Sequence, residues 1–477
     1  MTKSVRRAVY FSLAQRYIAF ALQLGASVIL ARLLSPEETG IYALAAAAVA
    51  VAHLLREVGV GEYIITQQGL TREQLRSAYG LTIVGASCMA ALLWATAAPL
   101  ARAYSQPGLL AVMHLLAVNF LLLPLGSVSF AMLSKDLAFD RIFIVHTAAA
   151  FTGVGVTVYA AYRQYSYLSP AIGSVASIGV TIVLLAILAP KHFFLLPSFR
   201  GMRSVLRFGG VLTASRLIEQ AASRGSEFIV SALLGFHATG LMSKGSSLIG
   251  AFHEFFGSAI SRVATPALSR AATDPEAMRA AYRDGIVLMA LPHLLFFSLL
   301  ALFGAEIVET LFGRNWMGAV HYLQIGAVGS FLWAPYMLYA SLLAVGRSAS
   351  WQLRIQLVGA PALLLAVSVG SLFNLEAVAA GLVMAGAVKL FVISRFLKTA
   401  CGITSASLFV ALRPSVLLCI PAVVAAVAVK LLGYELGLAP WLRLAAGALT
   451  AVAVLIPLAA RANHPVMAEI RRLWPST

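Results

Sequence analysis

Residues 216–227 read RLIEQAASRGSE, placing Arg216, Glu219, Gln220, Ser223, Arg224 and Glu227 within a few helical turns inside the apolar stretch 207–245. At 100° per residue Arg216, Gln220, Ser223 and Glu227 fall in one stripe, with Glu219 and Arg224 on its shoulders. A charged side chain at the centre of a membrane helix costs about 2.5–3.5 kcal/mol on insertion scales, so this stripe needs an aqueous cavity, mutual pairing or both. Guanidinium groups lining a cavity suit an anionic cargo, because arginine is always charged and grips phosphate oxygens in a fork. The alternative is internal. Arg216 with Glu219 and Arg224 with Glu227 are i,i+3 pairs, which can neutralise one another with a purely structural role.

Other polar residues interrupt apolar runs in the same way. Arg16 and Gln23 lie in the first run, Arg56 ends the second, and Lys244 follows the stripe; with Arg216, Arg224, Gln220 and Ser223 they are the candidate cavity residues. Glu57, Glu62, Glu219, Glu227 and Glu254 are candidate ion-coupling groups or counter-ions, and the basic residues beside them favour the counter-ion role. Arg56 and Glu57 sit where a helix reaches the headgroups, so snorkelling explains them as well as a cavity does. The histidines are scattered without ligand spacing. Cys88, Cys401 and Cys419 lie in apolar runs as small packing residues, so neither a metal nor a cofactor is expected.

What must position these groups is a set of membrane helices. The 477 residues are 60% hydrophobic and 11% charged, with a mean hydropathy of +0.88, which excludes an ordinary soluble domain. At about 20 apolar residues per span, the chain divides into about fourteen transmembrane helices, the first near 10–33 and the last near 440–460. The class is an all-α polytopic membrane protein. Of the 35 Lys and Arg, 24 fall on the side of the N-terminus in that arrangement, which places both termini in the cytoplasm. The net charge of +17 is therefore a topology signal, with attraction to acidic membrane lipid as a corollary, and it does not call for nucleic acid. Prolines at 124, 170, 292, 335, 361, 421 and 457 interrupt spans. The outside connections, among them 306–314, are all short. That weakens any reading as a membrane enzyme, which would need a catalytic constellation, often on a long outer loop.

An internal repeat orders the spans. Residues 16–40 set above 216–240 match without gaps at Arg16/Arg216, Ile18/Ile218, Ala21/Ala221, Gly25/Gly225, Ile29/Ile229, Leu33/Leu233, Leu34/Leu234, Thr39/Thr239 and Gly40/Gly240. Six helices separate the copies, so both run in the same direction, as in a parallel repeat. The organisation expected is an N-terminal lobe of six helices over 1–190, a cytoplasmic interfacial linker over 191–207, a pseudo-symmetric six-helix lobe over 208–400, and two further helices with a cytoplasmic tail over 401–477. The repeated helices should face each other across a pathway.

Four phrases carry a family resemblance: LARLLSPEETGIYALA after the first helix, VGVGEYIIT, ATPALSRAATDPEAMRAAYRDG and ETLFGRNWMGAVHYLQIGAVGS. Taken in order over roughly residues 5–400, the chain resembles the Wzx-type polysaccharide and O-antigen flippases of the multidrug/oligosaccharidyl-lipid/polysaccharide exporter superfamily. The resemblance implies a non-enzymatic protein of the bacterial inner membrane that moves a polyprenyl-diphosphate-linked oligosaccharide to the outer leaflet by alternating access. It also implies polysaccharide polymerase and assembly proteins as partners. A proton- or cation-coupled drug or metabolite antiporter of the same superfamily is the other reading, but twelve helices and acidic sites would be expected of it.

Overall fold

The computed structural model describes residues 3–56, 60–67, 69–193, 196–198, 202–346 and 349–468. The described residues form helices joined by turns. They cluster into two units, divided after Gly240. The first unit holds α1 (Lys3–Leu33), α2 (Pro36–Arg56), the short α3 (Val60–Thr66), α4 (Arg72–Ala103), α5 (Pro107–Leu122), α6 (Pro124–Lys135), α7 (Phe139–Tyr162), α8 (Ser169–Leu188), the single turn α9 (Pro190–Phe193) and α10 (Met202–Leu233). The boundary falls in the first turns of α11 (Gly235–Arg270). The second unit continues with α12 (Pro275–Leu302), α13 (Gly304–Leu311), α14 (Val320–Ser330), α15 (Tyr339–Val345), α16 (Ala349–Gly370), α17 (Leu375–Cys401), α18 (Ser405–Glu435) and α19 (Pro440–Arg461).

Among the described residues, ten segments are long and apolar enough to cross a membrane, or eleven when α5 and α6 are joined as one span bent by 51°. The more polar α2, α10 and α11, of 21, 32 and 36 residues, are also of spanning length. Together these match the number expected from hydropathy. The bend falls at Pro124, which opens α6, because proline has no N–H for the preceding turn and cannot continue α5.

Local chemistry sets the ends. Ser35 and Glu38 form a reciprocal capping box at the start of α2, with Ser35 N–H donating to Glu38 Oε2 at 2.7 Å. Thr71 and Gln74 do the same for α4. Residues 261–284 are helical almost throughout. α11 runs on to Arg270, and α12 starts at Pro275 under an Asp274 cap whose carboxylate accepts from the Glu276 N–H. In the linker, Arg76 on α4 donates from Nε to the Leu196 carbonyl at 2.9 Å and accepts at its own carbonyl from Ser198 N–H. Arg141 Nη1 caps the Leu188 carbonyl at the end of α8, so basic residues near the helix ends also satisfy backbone acceptors.

Small residues let the helices close on each other, as membrane helices require when lipid gives no hydrophobic drive between them. A Cβ at Gly173 on α8 would overlap the Thr157 hydroxyl of α7, and one at Gly447 on α19 would overlap the Phe303 ring. The first unit buries Leu109, Met113 and Phe120 against α2 and α4. The second buries Tyr282, Ile393 and Phe396.

The span from Arg314 to Val345 is broken by a 3₁₀ stretch, Phe331–Tyr336, around Pro335. Backbone acceptors around this break are met from α12. His293 Nε2 lies 2.9 Å from the Ser330 carbonyl and Tyr282 OH donates to the Pro335 carbonyl at 3.4 Å.

Glu306, expected in an outside connection, is buried at 1% exposure on α13. Lys430 of α18 donates to its Oε2 at 3.2 Å and Tyr434 OH to its Oε1 at 2.9 Å, while Lys430 also reaches the Leu302 carbonyl. The amphipathic turn AEIVETL packs under the last two helices rather than looping into water.

His464, in the turn after α19, is buried with Nε2 3.0 Å from Ser415 Oγ on α18. Burial holds its pKa below the ordinary 6.5. The folded chain therefore favours the neutral ring. Its contribution to stability is present above 6.5 and is lost as the pH falls through the lowered value. Thermal unfolding in detergent should shift to lower temperature between neutral and mildly acid pH, and His464→Asn should flatten that slope. Equal slopes in the two proteins would acquit His464.

Candidate functional site

α10 packs along α2 within the first unit. Its buried ridge is Ala222, Ser226 and Val230, at i, i+4 and i+8, and the alanine-rich run of α2 supplies a flat partner surface. Ala222 and Ser226 are the small residues that allow this close approach. Tyr104 at the end of α4 adds a hydrogen bond to the Phe228 carbonyl at 2.9 Å.

The described part of the polar stripe is only partly covered by this packing. Glu219 and Ser223 are exposed and Gln220 is half-buried. Arg224 Nη1 lies 3.2 Å from Glu227 Oε1, so the i,i+3 pair forms, with the arginine side chain 40% exposed and the glutamate 16%. Glu227 engages one of the five guanidinium donors. Its second oxygen, Oε2, is buried with no hydrogen-bond partner among the described residues. A charged fork on an open face beside a half-satisfied carboxylate is chemistry suited to an anion that arrives with its own hydrogen-bond donors.

On α1, which packs along α7, Gln23 is exposed, Arg16 is half-buried and Gly25 has open space around it. Arg56, the last residue of α2, lays its methylene stem toward Gly85 of α4. Glu57 lies outside the described residues, as do the side chains of Glu62, Arg216 and Glu254. In the second unit Lys244 is only 8% exposed. Its ammonium sits 5.2 Å from the Phe312 ring centroid and 5.6 Å from that of Trp316, a cation–π seat built by the phrase FGRNW. Gly313 turns that phrase with φ at +95°, a region glycine enters at no steric cost.

The repeat has a physical meaning that identity matching did not supply. A Cβ at Gly40 would overlap the carbonyl oxygen of Phe236, and a Cβ at Gly240 would overlap the carbonyl oxygen of Pro36. Both contacts obey the same 200-residue shift. The first turns of α2 and α11 are therefore clasped by two equivalent glycine-to-backbone contacts, flanked by the Ser231–Thr239 hydroxyl pair at 2.8 Å.

The second unit also holds two cavities. An apolar groove of about 650 Å³ runs between α12, the 331–336 stretch and α18, with Arg413 as its charged lining residue. A smaller pocket of about 280 Å³ lies between α11, α14, the same 3₁₀ stretch and α17. Its polar groups come from Ser246 of α11, Tyr322 and Ser330 of α14 and Trp333 of the 3₁₀ stretch, residues that the charge pattern did not single out.

The family described as polysaccharide biosynthesis protein matches residues 29–321. The teichuronic acid biosynthesis protein TuaB of Bacillus subtilis is 23% identical over 331 residues, which cover 68% of this chain and 68% of that protein. The lipopolysaccharide biosynthesis protein WzxC of Escherichia coli is 22% identical over 321 residues, covering 66% of this chain and 64% of its own. Among solved structures the lipid II flippase MurJ, in an inward closed conformation, superposes with a TM-score of 0.72 at 10% identity, over 95% of this chain and 98% of the other. That likeness is one of fold.

Proposed function

The chain belongs to the polysaccharide biosynthesis protein family, and from that premise we propose that it is a flippase, carrying a polyprenyl-diphosphate-linked oligosaccharide across the bacterial inner membrane for exopolysaccharide, capsule or lipopolysaccharide assembly. The observation that carries the reading is the partly open polar stripe on α10. A helix that packs through Ala222, Ser226 and Val230 leaves Ser223 and Arg224 open and Gln220 half-buried, and in a helix of spanning length such a polar face needs a wet, charged-cargo environment. The names of the relatives, drawn from teichuronic acid and lipopolysaccharide biosynthesis, support a polymer-building context.

In this reading Arg16, Arg216 and Arg224 hold the diphosphate, with Gln23, Gln220 and Ser223 beside them. The acidic residues of the stripe act as counter-ions. The apolar groove along α18 offers its surface to the polyprenyl chain, which has the same chemistry as its lining. The two six-helix lobes, 1–190 and 208–400, alternate access, and no covalent step is required. Both termini lie in the cytoplasm, as the basic-residue bias supports, and the polymerase and assembly proteins of the pathway receive the product.

Charge variants at Arg224 test the cargo role. Export in a flippase-deficient strain, with membrane protein level measured in parallel, should fall on the order of tenfold or more for Arg224→Ala and partly recover for Arg224→Lys, the scale expected when charge-assisted hydrogen bonds are lost. If the arginine serves only Glu227, Arg224→Ala combined with Glu227→Gln removes the orphaned carboxylate and restores export. Full restoration by that double variant at normal protein level would sink the cargo role.

A further inference from the structure

The pocket between α11, α14 and α17 has a character unlike the bilayer around it. Ser246, Tyr322, Ser330 and Trp333 contribute its polar groups, with Gly250, Gly326 and Gly329 as thin walls and Ile249, Leu382 and Val383 as its apolar side. Ser246 lies eleven residues into α11, roughly 16 Å from the helix start at 1.5 Å per residue.

The hydroxyls are arranged rather than scattered. Ser246 Oγ and Tyr322 OH are 2.8 Å apart, and Ser330 Oγ donates to the Gly326 carbonyl at 2.9 Å. A Cβ at Gly245 would lie 2.6 Å from Tyr322 Cδ1, so glycine is what lets that ring lie against α11 and bring its hydroxyl to Ser246. A serine hydroxyl has one donor and two acceptor sites, so Ser246 and Ser330 keep capacity for a ligand after these bonds. The Trp333 indole, half-buried in the 3₁₀ break, lines the pocket, with Nε1 3.5 Å from where a Cβ at Gly386 on α17 would stand. An acyl chain in this pocket would leave all of that capacity unused beside apolar walls, where unmade hydrogen bonds are costly.

We propose that this pocket receives a sugar residue of the transported glycan, a proposal that rests on the flippase reading. A pyranose ring matches both sides of the lining. Its C–H face packs on the indole and on Ile249 and Val383, while its hydroxyls exchange hydrogen bonds with Ser246, Ser330 and Trp333 Nε1. The thin glycine walls admit a ring that bulkier residues would exclude.

The test uses the full-length protein in lipid nanodiscs and three probes. These are the host's lipid-linked glycan extracted from cells lacking the protein, undecaprenyl diphosphate without sugar, and phosphatidylglycerol. Ser246→Val and Trp333→Leu should each weaken binding of the glycan-bearing lipid by about tenfold and leave the sugar-free diphosphate lipid unchanged, with Trp333→Phe intermediate because it keeps the ring and loses only the N–H. Unchanged affinity for the sugar-free lipid also certifies that each variant is folded. Tyr322→Phe, which removes one hydroxyl and preserves shape, covers the case in which a Trp333 variant misfolds, and should weaken only the glycan-bearing lipid. If wild type prefers the glycan-bearing lipid but the variants retain that preference, or lose both prenyl lipids alike, the sugar pocket is overturned and the flippase reading stands. If wild type binds neither prenyl lipid better than phosphatidylglycerol, the flippase reading itself falls.

Discussion

Gly240→Ala and Gly40→Ala should each destabilise the protein, by about 1–3 kcal/mol and possessing the same cause, whereas Gly25→Ala should leave it unchanged or slightly more stable. All three positions are helical glycines and all three belong to the repeat, so composition and helix propensity predict the same small gain for each. The surroundings differ. A methyl group at 40 or 240 meets a backbone carbonyl oxygen, of Phe236 or Pro36, which cannot swing aside as a side-chain tip would. At Gly25 nothing lies within 4 Å. Relief requires the first turns of α2 and α11 to move apart, which also strains the Ser231–Thr239 bond. Export should therefore fall along with the melting temperature for the two clasp variants and stay at the wild-type level for Gly25→Ala. If Gly240→Ala melts with Gly25→Ala, the clasp has no energetic content and the repeat is only a trace of ancestry.

Hydropathy made the helices legible because the property that puts a segment in a bilayer is summed over some twenty residues and survives local noise. The polar stripe on α10 was legible for the same reason, since charge at membrane depth is costly wherever it occurs. What depended on distant residues was not. Pro124 and Pro335 announced interruptions, but whether each becomes a 51° bend or a 3₁₀ stretch depends on neighbours such as His293 and Tyr282. Lys244 was legible as a basic residue in an apolar run, whereas the rings of Phe312 and Trp316 that its ammonium lies against, about seventy positions later, were not. Charge counting placed Glu306 in a short outer connection, although the amphipathic AEIVETL was a signal that a helix would bury one face there. The Arg224–Glu227 pair was legible as a possibility from spacing, but its exposure and the orphaned Oε2 required the packing seam to be known.

The other large effect concerns that buried carboxylate. Lys430→Met should cost about 3–5 kcal/mol, because it strands Glu306 at 1% exposure with its charge uncompensated. Tyr434→Phe should cost about 1 kcal/mol, the net worth of one hydrogen bond. The asymmetry is the informative part. Glu306→Gln combined with Lys430→Met leaves no buried charge, retains an amide acceptor for Tyr434, and should recover most of the loss measured as melting temperature in detergent. The cluster ties α18 to the end of α12 and to α13 while α19 packs on α13, so its loss loosens the last two helices and the groove that α18 lines. Export and stability should then separate in one direction only. The double variant regains stability first, and if it also regains export, the cluster is an anchor with no part in transport. A Lys430→Met protein as stable as wild type would show instead that water or lipid headgroups reach Glu306, and that the last helices are held by packing alone.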